Sequence, residues 1–311
     1  MIKKTIEITN LKVAFSTRQG QVKAVNNISM TLHKGQVIAM IGETGSGKSV
    51  FGLSLLQLLP ENAKLSGEAE YEGKNLLRLP TSDIRNIRGK KIALIPQNPD
   101  TSLNPIMKVK KQLRDVIDQK DKKTYIHKII NELKKYHLYD PERVSDAYPF
   151  QLSGGMKQRV LSASATMGKP DLIIADEPTK GLDVIIRNEV YQIFKKMIQD
   201  TDIGLLLITH DLIFANTISD KVAVLYAGEV IEYGDTKDLF NEPYHPYTKG
   251  FIEAQPYKNL KPIPGLPPSL IHLPEGCSFH PRCSKKMPVC SQLKPDLYSV
   301  GNRNVRCFLY A

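Results

Sequence analysis

The chain has 311 residues, too many for a minimal domain, and its 41% hydrophobic and 24% charged residues suffice for an ordinary core and surface. Its 43 Lys and Arg against 32 Asp and Glu leave a net charge of +11, which suits nucleic acid, an anionic membrane face or a polyphosphate ligand without choosing among them. No apolar run approaches the ~18 residues of a membrane span, and the opening "MIKKTIEITNLKVAF" lacks an apolar signal core, so a reducing, cytosolic setting is expected. In that setting four cysteines gathered in the last 35 residues point to metal more than to disulfides.

Residues 5–15 alternate apolar and polar (Ile6, Ile8, Val13, Phe15), which predicts a strand with one buried face. "QVIAMIG" (36–42) is a short continuous apolar run, the pattern of a strand buried on both faces of a largely parallel sheet. It runs into "GETGSGKS" (42–49), which matches the phosphate-binding pattern G-x-x-x-x-G-K-[ST] and opens the apolar helix "VFGLSLLQLL". Gly42, Gly45 and Gly47 let successive N–H groups curl around a β-phosphate at the helix N-terminus. Lys48 reaches the β/γ oxygens, and the Ser49 hydroxyl ligates Mg²⁺. The bland alternative is a glycine-rich turn, which the flanking strand and helix disfavour.

"KIALIP" (91–96) is the next buried strand. Between about 105 and 150 the texture changes: Ile126, Ile129, Ile130, Leu133 and Tyr136/His137 fall on one helical face, with lysines elsewhere. An inserted helical subdomain follows, whose lysine-rich face at 108–135 is solvated surface. "LSGGMKQRV" (152–160) places a Ser and two glycines at a helix start, a second anion-binding nest. One γ-phosphate does not need two nests from one chain, so this one is expected to close over ATP bound by another subunit. "LIIADE" (172–177) is a buried strand ending in two carboxylates. Asp176 suits the magnesium shell, and Glu177 the polarisation of attacking water. Both lie at a C-terminal strand end, where open α/β sheets bind ligands. "GLLLITH" (204–210) is another buried strand, and "KVAVLYAGEVIEYG" (221–234) reads as a hairpin about Ala227-Gly228. Nine prolines between 256 and 295 then predict short irregular segments rather than a second packed sheet.

With these motifs in order, the sequence resembles the ATP-binding-cassette ATPases, whose signature is LSGGQ; Met156 stands in the Gln position. The resemblance covers about 235 residues and implies an α/β fold: a P-loop cassette core with an antiparallel β subdomain, an inserted helical subdomain and an irregular Cys/Pro-rich C-terminal extension. The implied domains are a nucleotide-binding domain at 1–235, with its helical subdomain at about 105–165, and an extension at 236–311. ATP and Mg²⁺ are the implied cofactors. Phe15 resembles the aromatic that stacks on adenine, and Gly42, Glu43, Thr44, Gly45, Ser46, Gly47, Lys48, Ser49 and Val50 surround the phosphates. Gln97 matches the Q-loop glutamine and joins Ser49 and Asp176 around magnesium. Ser153, Gly154 and Gly155 contact the opposite subunit's nucleotide, and "GLD" (181–183) resembles the D-loop, with Asp183 at the nucleotide. Lys48, Glu177 and His210, the last as the switch histidine, are the implied catalytic residues.

"QNPDTSLNPIMKV", "YPFQLSGGMKQRV", "NEPYHPYTKGFIEAQP" and "LPPSLIHLPEGCSFHPRC" resemble the ATPase subunits of oligopeptide, dipeptide and nickel importers over nearly the whole chain. That resemblance implies a peripheral subunit at the cytoplasmic face of the cell membrane. Its partners would be two permease subunits, an extracytoplasmic substrate-binding protein, and a second, similar ATPase or another copy of itself, with no nucleic acid. Residues 97–110 would receive a short permease helix. Peptides are the first cargo and nickel or a metal chelate the alternative. "EPTKGLDV" departs from the more usual Thr-Ala-Leu-Asp run at Lys180 and Gly181. Of the other classes, a soluble cassette protein acting on nucleic acid or ribosomes usually carries two cassettes, a P-loop kinase has no use for LSGG, and an exporter half carries its own membrane spans.

Five residues separate Cys277 from Cys283, six separate Cys283 from Cys290, and sixteen separate Cys290 from Cys307. Zinc sites favour tighter pairs, whereas four thiolates at loose spacing are compatible with an iron–sulfur cluster; free, packed thiols are the third reading. The resemblance points to a cluster, since some peptide-importer ATPases carry [4Fe–4S] in this tail.

Overall fold

Alternation at the start of the chain produces a long strand, β1 (Lys4–Thr17), which pairs antiparallel with β2 (Gly20–His33) and buries Ile6, Ile8, Leu11 and Val13. The computed structural model describes residues 4–117, 121–256, 258 and 260–311. Residues 1–3 of the opening stretch, 118–120 of the lysine-rich stretch, and 257 and 259 of the proline-rich stretch lie outside the described residues. After β2 come β3 (Val37–Ile41), buried throughout, and helix α1 (Lys48–Leu55). Then β4 (Ala63–Tyr71) and the short β5 (Lys74–Asn75) complete a four-stranded antiparallel sheet, order β2-β1-β4-β5.

The chain divides into two compact units, residues 80–206 and residues 4–79 with 207–311. The first unit contains α2 (Thr81–Ile87), β6 (Ile92–Ile95), α3 (Pro99–Ser102), α4 (Val109–Arg114), α5 (Lys122–Lys135), α6 (Pro141–Asp146), α7 (Gly154–Met167), β7 (Leu172–Asp176) and α8 (Val184–Asp200). Strands β6 and β7 pair in parallel, Ile92 with Leu172 through Ile95 with Ala175. The helices form their own core, in which Ile129, Leu133 and Tyr136 meet Leu113, Val144, Val160 and Met167. The buried Tyr136 hydroxyl shares a 2.8 Å hydrogen bond with Thr166 Oγ1. One detail differs from the sequence reading. Tyr136 is buried, but His137 is exposed, because its left-handed backbone (φ 56°) ends the α5 periodicity there.

The chain passes from one unit to the other within β8 (Gly204–Ile208). Beyond it are α9 (Leu212–Ile218) and the expected hairpin, β9 (Lys221–Tyr226) and β10 (Glu229–Asp235). Its two-residue turn uses left-handed Ala227 (φ 48°) and Gly228 (φ 81°), the geometry that matches strand twist. Strand β3 pairs in parallel with β9.

The proline-rich stretch 256–295 holds no α-helix or β-strand among its described residues, as its prolines predict, and the regular elements of the tail flank it. These are α10 (Thr236–Asn241), α11 (Pro246–Glu253), β11 (Tyr298–Val300) and β12 (Arg303–Val305), and β12 pairs antiparallel with both β11 and β10. Prolines break the chain between α11 and β11 without preventing residues 298–305 from extending the sheet. Glu232, fully buried on β10, holds this arrangement. Its carboxylate accepts the N–H groups of Tyr244 (2.8 Å) and His245 (2.9 Å) and lies 3.8 Å from the Arg303 guanidinium. Arg303 is itself buried, stacked 3.4 Å from the Tyr244 ring centroid, and donates to the Asp238 and Glu242 carbonyls. Gly234 makes room for it, since a Cβ there would lie 2.4 Å from Arg303 Cγ. Burial pushes the His245 pKa down to about 3, so its neutral Nδ1 accepts the Tyr247 N–H (3.0 Å) and caps α11.

Glu232→Ala should therefore strand two buried N–H donors and remove the carboxylate beside Arg303, lowering the denaturation midpoint by a cost of about 3–5 kcal/mol. Glu232→Gln, which keeps an acceptor, should cost clearly less in the same chemical-denaturation measurement.

Candidate functional site

Strand β3 delivers the chain into the phosphate loop, whose glycines are fixed by neighbouring backbone. A Cβ on Gly42 (φ 151°) would lie 2.2 Å from the Leu225 carbonyl oxygen, and one on Gly47 (φ 104°) 2.1 Å from that of Ala24. The Gly228 N–H donates to the Ser46 carbonyl (2.9 Å), and the Asn26 N–H to the Gly228 carbonyl (2.7 Å), so the β9–β10 turn and β2 brace the loop. Lys48 is buried, and its Nζ donates to the carbonyls of Gly42 (2.8 Å) and Glu43 (2.9 Å), spanning the loop's own mouth.

Among the described helices of eight residues or more, α5, α7, α8 and α11 each have a side-chain cap, from Asp121, Ser153, Asp183 and His245. Helix α1 alone has none, its N-cap being left-handed Gly47, and its first turn holds no acidic residue. Its N-terminal dipole is thus left for an anion. Buried Ser46 Oγ has no hydrogen-bond partner among the described residues. An uncapped helix, a left-handed glycine turn, a spanning ammonium and an orphaned hydroxyl together fit a polyphosphate. Thr44 and Gly45 are exposed at the loop, Ser49 and Val50 half-buried; Phe15, half-buried on β1, pairs across to Val22 and Ala63. Exposed His210 lies two residues past β8, whose end is set beside that of β3 by the Thr209 N–H to Met40 carbonyl bond (3.1 Å).

Glu43 holds what the sequence reading missed. Its carboxylate takes two bonds from Arg282, Nη1 at 2.9 Å and Nη2 at 3.1 Å, and its N–H donates to the Tyr247 hydroxyl (3.0 Å). No local spacing announces this pairing across 239 residues.

The unit of residues 80–206 carries the other candidates. Asp176 and Glu177 end β7, both buried, and Glu177 holds a left-handed backbone (φ 48°), a strained conformation that a non-glycine residue keeps only when its surroundings impose it. Gln97 follows β6, the parallel neighbour of β7, so Gln97, Asp176 and Glu177 lie at the C-terminal ends of adjacent strands. Past Gln97, Asp100 pairs with Lys157 of α7 at 2.5 Å. Ser153 caps α7 by accepting the Met156 N–H (3.3 Å). Gly154 faces open space, whereas a Cβ on Gly155 would lie 2.9 Å from Ile186 Cγ2. Gly181 is left-handed (φ 74°), and Asp183 caps α8, accepting the N–H groups of Ile185 and Ile186 at 3.0 Å each.

The four cysteines are free thiols here. Among the described residues no group of three or more His, Cys, Asp or Glu stands at metal-holding spacing. The donor set nevertheless suits thiolate ligation. Cys283 Sγ and Cys290 Sγ accept the N–H groups of Lys285 and Met287, at 3.4 Å each, and Cys277 and Cys307 accept those of Phe279 and Leu309. Burial, and then the proximity of the other three thiols, pushes Cys277 up to about 11. Left-handed Gly276 lets the segment close, its missing Cβ sparing a 2.4 Å approach to the Cys290 carbonyl, which accepts the Cys277 N–H (2.8 Å).

Two family models match this chain: ABC transporter over residues 25–180, and the oligopeptide/dipeptide transporter C-terminal region over residues 231–290. The chain belongs to the ABC transporter family. It is 40% identical to the dipeptide transport ATP-binding protein DppD of Caldanaerobacter subterraneus subsp. tengcongensis, over 98% of this chain and 97% of that one. It is 37% identical to the oligopeptide transport ATP-binding protein OppD of Escherichia coli, over 97% and 92%. A solved ABC cassette, the dimeric MJ0796 in a post-hydrolysis state with ADP and Pi, matches with a TM-score of 0.66 at 24% identity, over 75% of this chain and 99% of that one, a likeness of fold. The resemblance read from the motifs therefore holds for the family and for the ABC ATPase fold. Among the described residues no helix is long and apolar enough to cross a membrane.

Asp183 separates two roles that the sequence merges. Asp183→Ala should cost about 1 kcal/mol of stability through the lost α8 cap, and Asp183→Asn, which still caps, should restore it in a denaturation titration. A fall in ATPase rate shared by both variants would belong to the carboxylate's charge.

Proposed function

We propose that this chain is the ATP-hydrolysing subunit of a membrane importer for dipeptides or oligopeptides. One observation carries the reading: an uncapped, backbone-braced phosphate loop occurs in the same chain as the oligopeptide/dipeptide transporter C-terminal region. The division that goes with it is a cassette at 1–235, its helical subdomain at about 105–165, and an extension at 236–311. Gly42 to Val50 cradle the phosphates, Phe15 stacks on adenine, Ser49, Gln97 and Asp176 serve the Mg²⁺ shell, Glu177 polarises water, and His210 contacts the γ-phosphate. Ser153, Gly154 and Gly155, with Asp183, act on nucleotide held by a second ATPase, a paralogue or another copy of this chain. Val184 and Ile185, 66% and 73% exposed directly after Asp183, support a partner surface there. Two permeases, met in part through residues 97–110, and an extracytoplasmic binding protein complete the importer at the cytoplasmic face. No nucleic acid enters this reading. Peptide is preferred to nickel because the relatives above are named for peptide transport.

The test is a pair of substitutions in the assembled transporter. Lys48→Ala should weaken ATP binding. Glu177→Gln should leave binding intact, lower turnover by ~10²–10⁴, and trap the closed ATPase pair with unhydrolysed ATP, read as nucleotide retained through desalting. Near-normal turnover in Glu177→Gln would remove Glu177 as the base.

We further propose that Cys277, Cys283, Cys290 and Cys307 hold a [4Fe–4S] cluster, as their N–H-bonded thiols and the resemblance support. Bound there, it supplies a cross-link to a segment poor in apolar residues. Anaerobically purified protein should be brown and bleach on reduction, and Cys283→Ser should be colourless and melt lower. Protein that takes up no iron and sulfide after anaerobic reconstitution would contradict the cluster.

A further inference from the structure

The extension grips the phosphate loop at a residue that no phosphate-binding motif requires. Arg282, one residue before Cys283, is 6% exposed along its side chain and forms a two-pronged ion pair with Glu43. Its Nε donates to the Pro264 carbonyl (3.0 Å), and its guanidinium lies 5.8 Å from the Tyr226 ring centroid. Tyr226, Tyr247 and Phe279 pack edge and face against one another at 4.7 to 5.5 Å between centroids. Burial raises the Tyr247 pKa, keeping the hydroxyl neutral, and that hydroxyl accepts the Glu43 N–H. On the loop's other side, the Gly42 and Glu43 carbonyls accept the Lys48 ammonium. Side chain, N–H and carbonyl of Glu43 are thus each engaged, two of the three by the extension.

From this geometry we infer that Arg282 is a positioning residue for nucleotide binding: through Glu43 it sets the loop carbonyls that aim Lys48, so affinity for ATP depends on the C-terminal extension. The inference rests on the proposed function, in which this loop binds ATP. A part-buried, bidentate Arg–carboxylate pair is stronger and more directional than a fully exposed ion pair. A loop held by it presents its N–H groups and Lys48 already ordered, and ordering is what a flexible loop would otherwise supply from binding energy. The loop N–H groups and Lys48 already hold the phosphates in the ground state, so their misplacement is read first in KM and to a lesser degree in kcat.

The test uses the full chain in its assembled transporter, with MgATP kinetics and titration of a fluorescent ATP analogue. Arg282→Gln and Glu43→Gln should each raise Kd and KM about tenfold, the scale of one charge-assisted hydrogen bond, with kcat changed by less than about twofold. Arg282→Lys, which keeps the charge and loses the fork, should fall between. The double variant should be no worse than either single one, because both remove the same pair. If Arg282→Gln fails to fold, the near-isosteric Glu43→Gln decides. Folded single variants with wild-type Kd, whatever their melting temperatures, would overturn the inference. Wild-type and Lys48→Ala proteins that bind the analogue alike would instead overturn the nucleotide site beneath it.

Discussion

Two backbone contacts hold the phosphate loop: the chain at Gly42 runs against the Leu225 carbonyl, and the chain at Gly47 against that of Ala24, each closer than any side chain allows. The rest of the site hangs on them. They turn the chain left-handed just before α1, which leaves that helix without the side-chain cap its longer counterparts have and its dipole open to an anion. They also join the loop to β2 and to the β9–β10 turn, so the strands that build the sheet position the glycines. At both glycines the neighbour is a backbone carbonyl, which cannot move aside as the end of a flexible side chain can.

The C-terminal extension completes that bracing from the far end of the chain. Its hairpin adds to the sheet through β10, secured by buried Glu232 and Arg303, and its cysteine-bearing segment reaches Glu43 through Arg282. Buried charges of this kind contribute little net stability over apolar packing, yet they tolerate one geometry and penalise the loss of either partner. They specify where the extension sits. A segment interrupted by nine prolines between 256 and 295 has few other means of doing so.

Elsewhere the chain gives one residue two physical tasks. Ser153 and Asp183, proposed above to act on nucleotide held by a second ATPase, also cap α7 and α8. Helix starts offer the N–H groups that phosphate chemistry uses, so local folding and ligand binding draw on the same donors. Glu177 marks the opposite case: its left-handed backbone opposes local preference and is maintained by what surrounds it.

Read alone, the sequence determined the family, the order of buried strands, the helical insertion and the positions of the phosphate loop and acidic strand end. Those depend on short-range chemistry: apolar runs of strand length, glycines at fixed offsets, carboxylates at a strand terminus. The hairpin turn at Ala227-Gly228 was legible for the same reason. Only the tertiary structure decided that two short strands beyond the proline-rich stretch extend the sheet beside β10, that His137 turns outward, that Lys48 spans the mouth of its own loop, and that Glu43 answers to Arg282. These are set by contacts between segments up to 239 residues apart, and no periodicity or local motif records which distant backbone will come within hydrogen-bond reach.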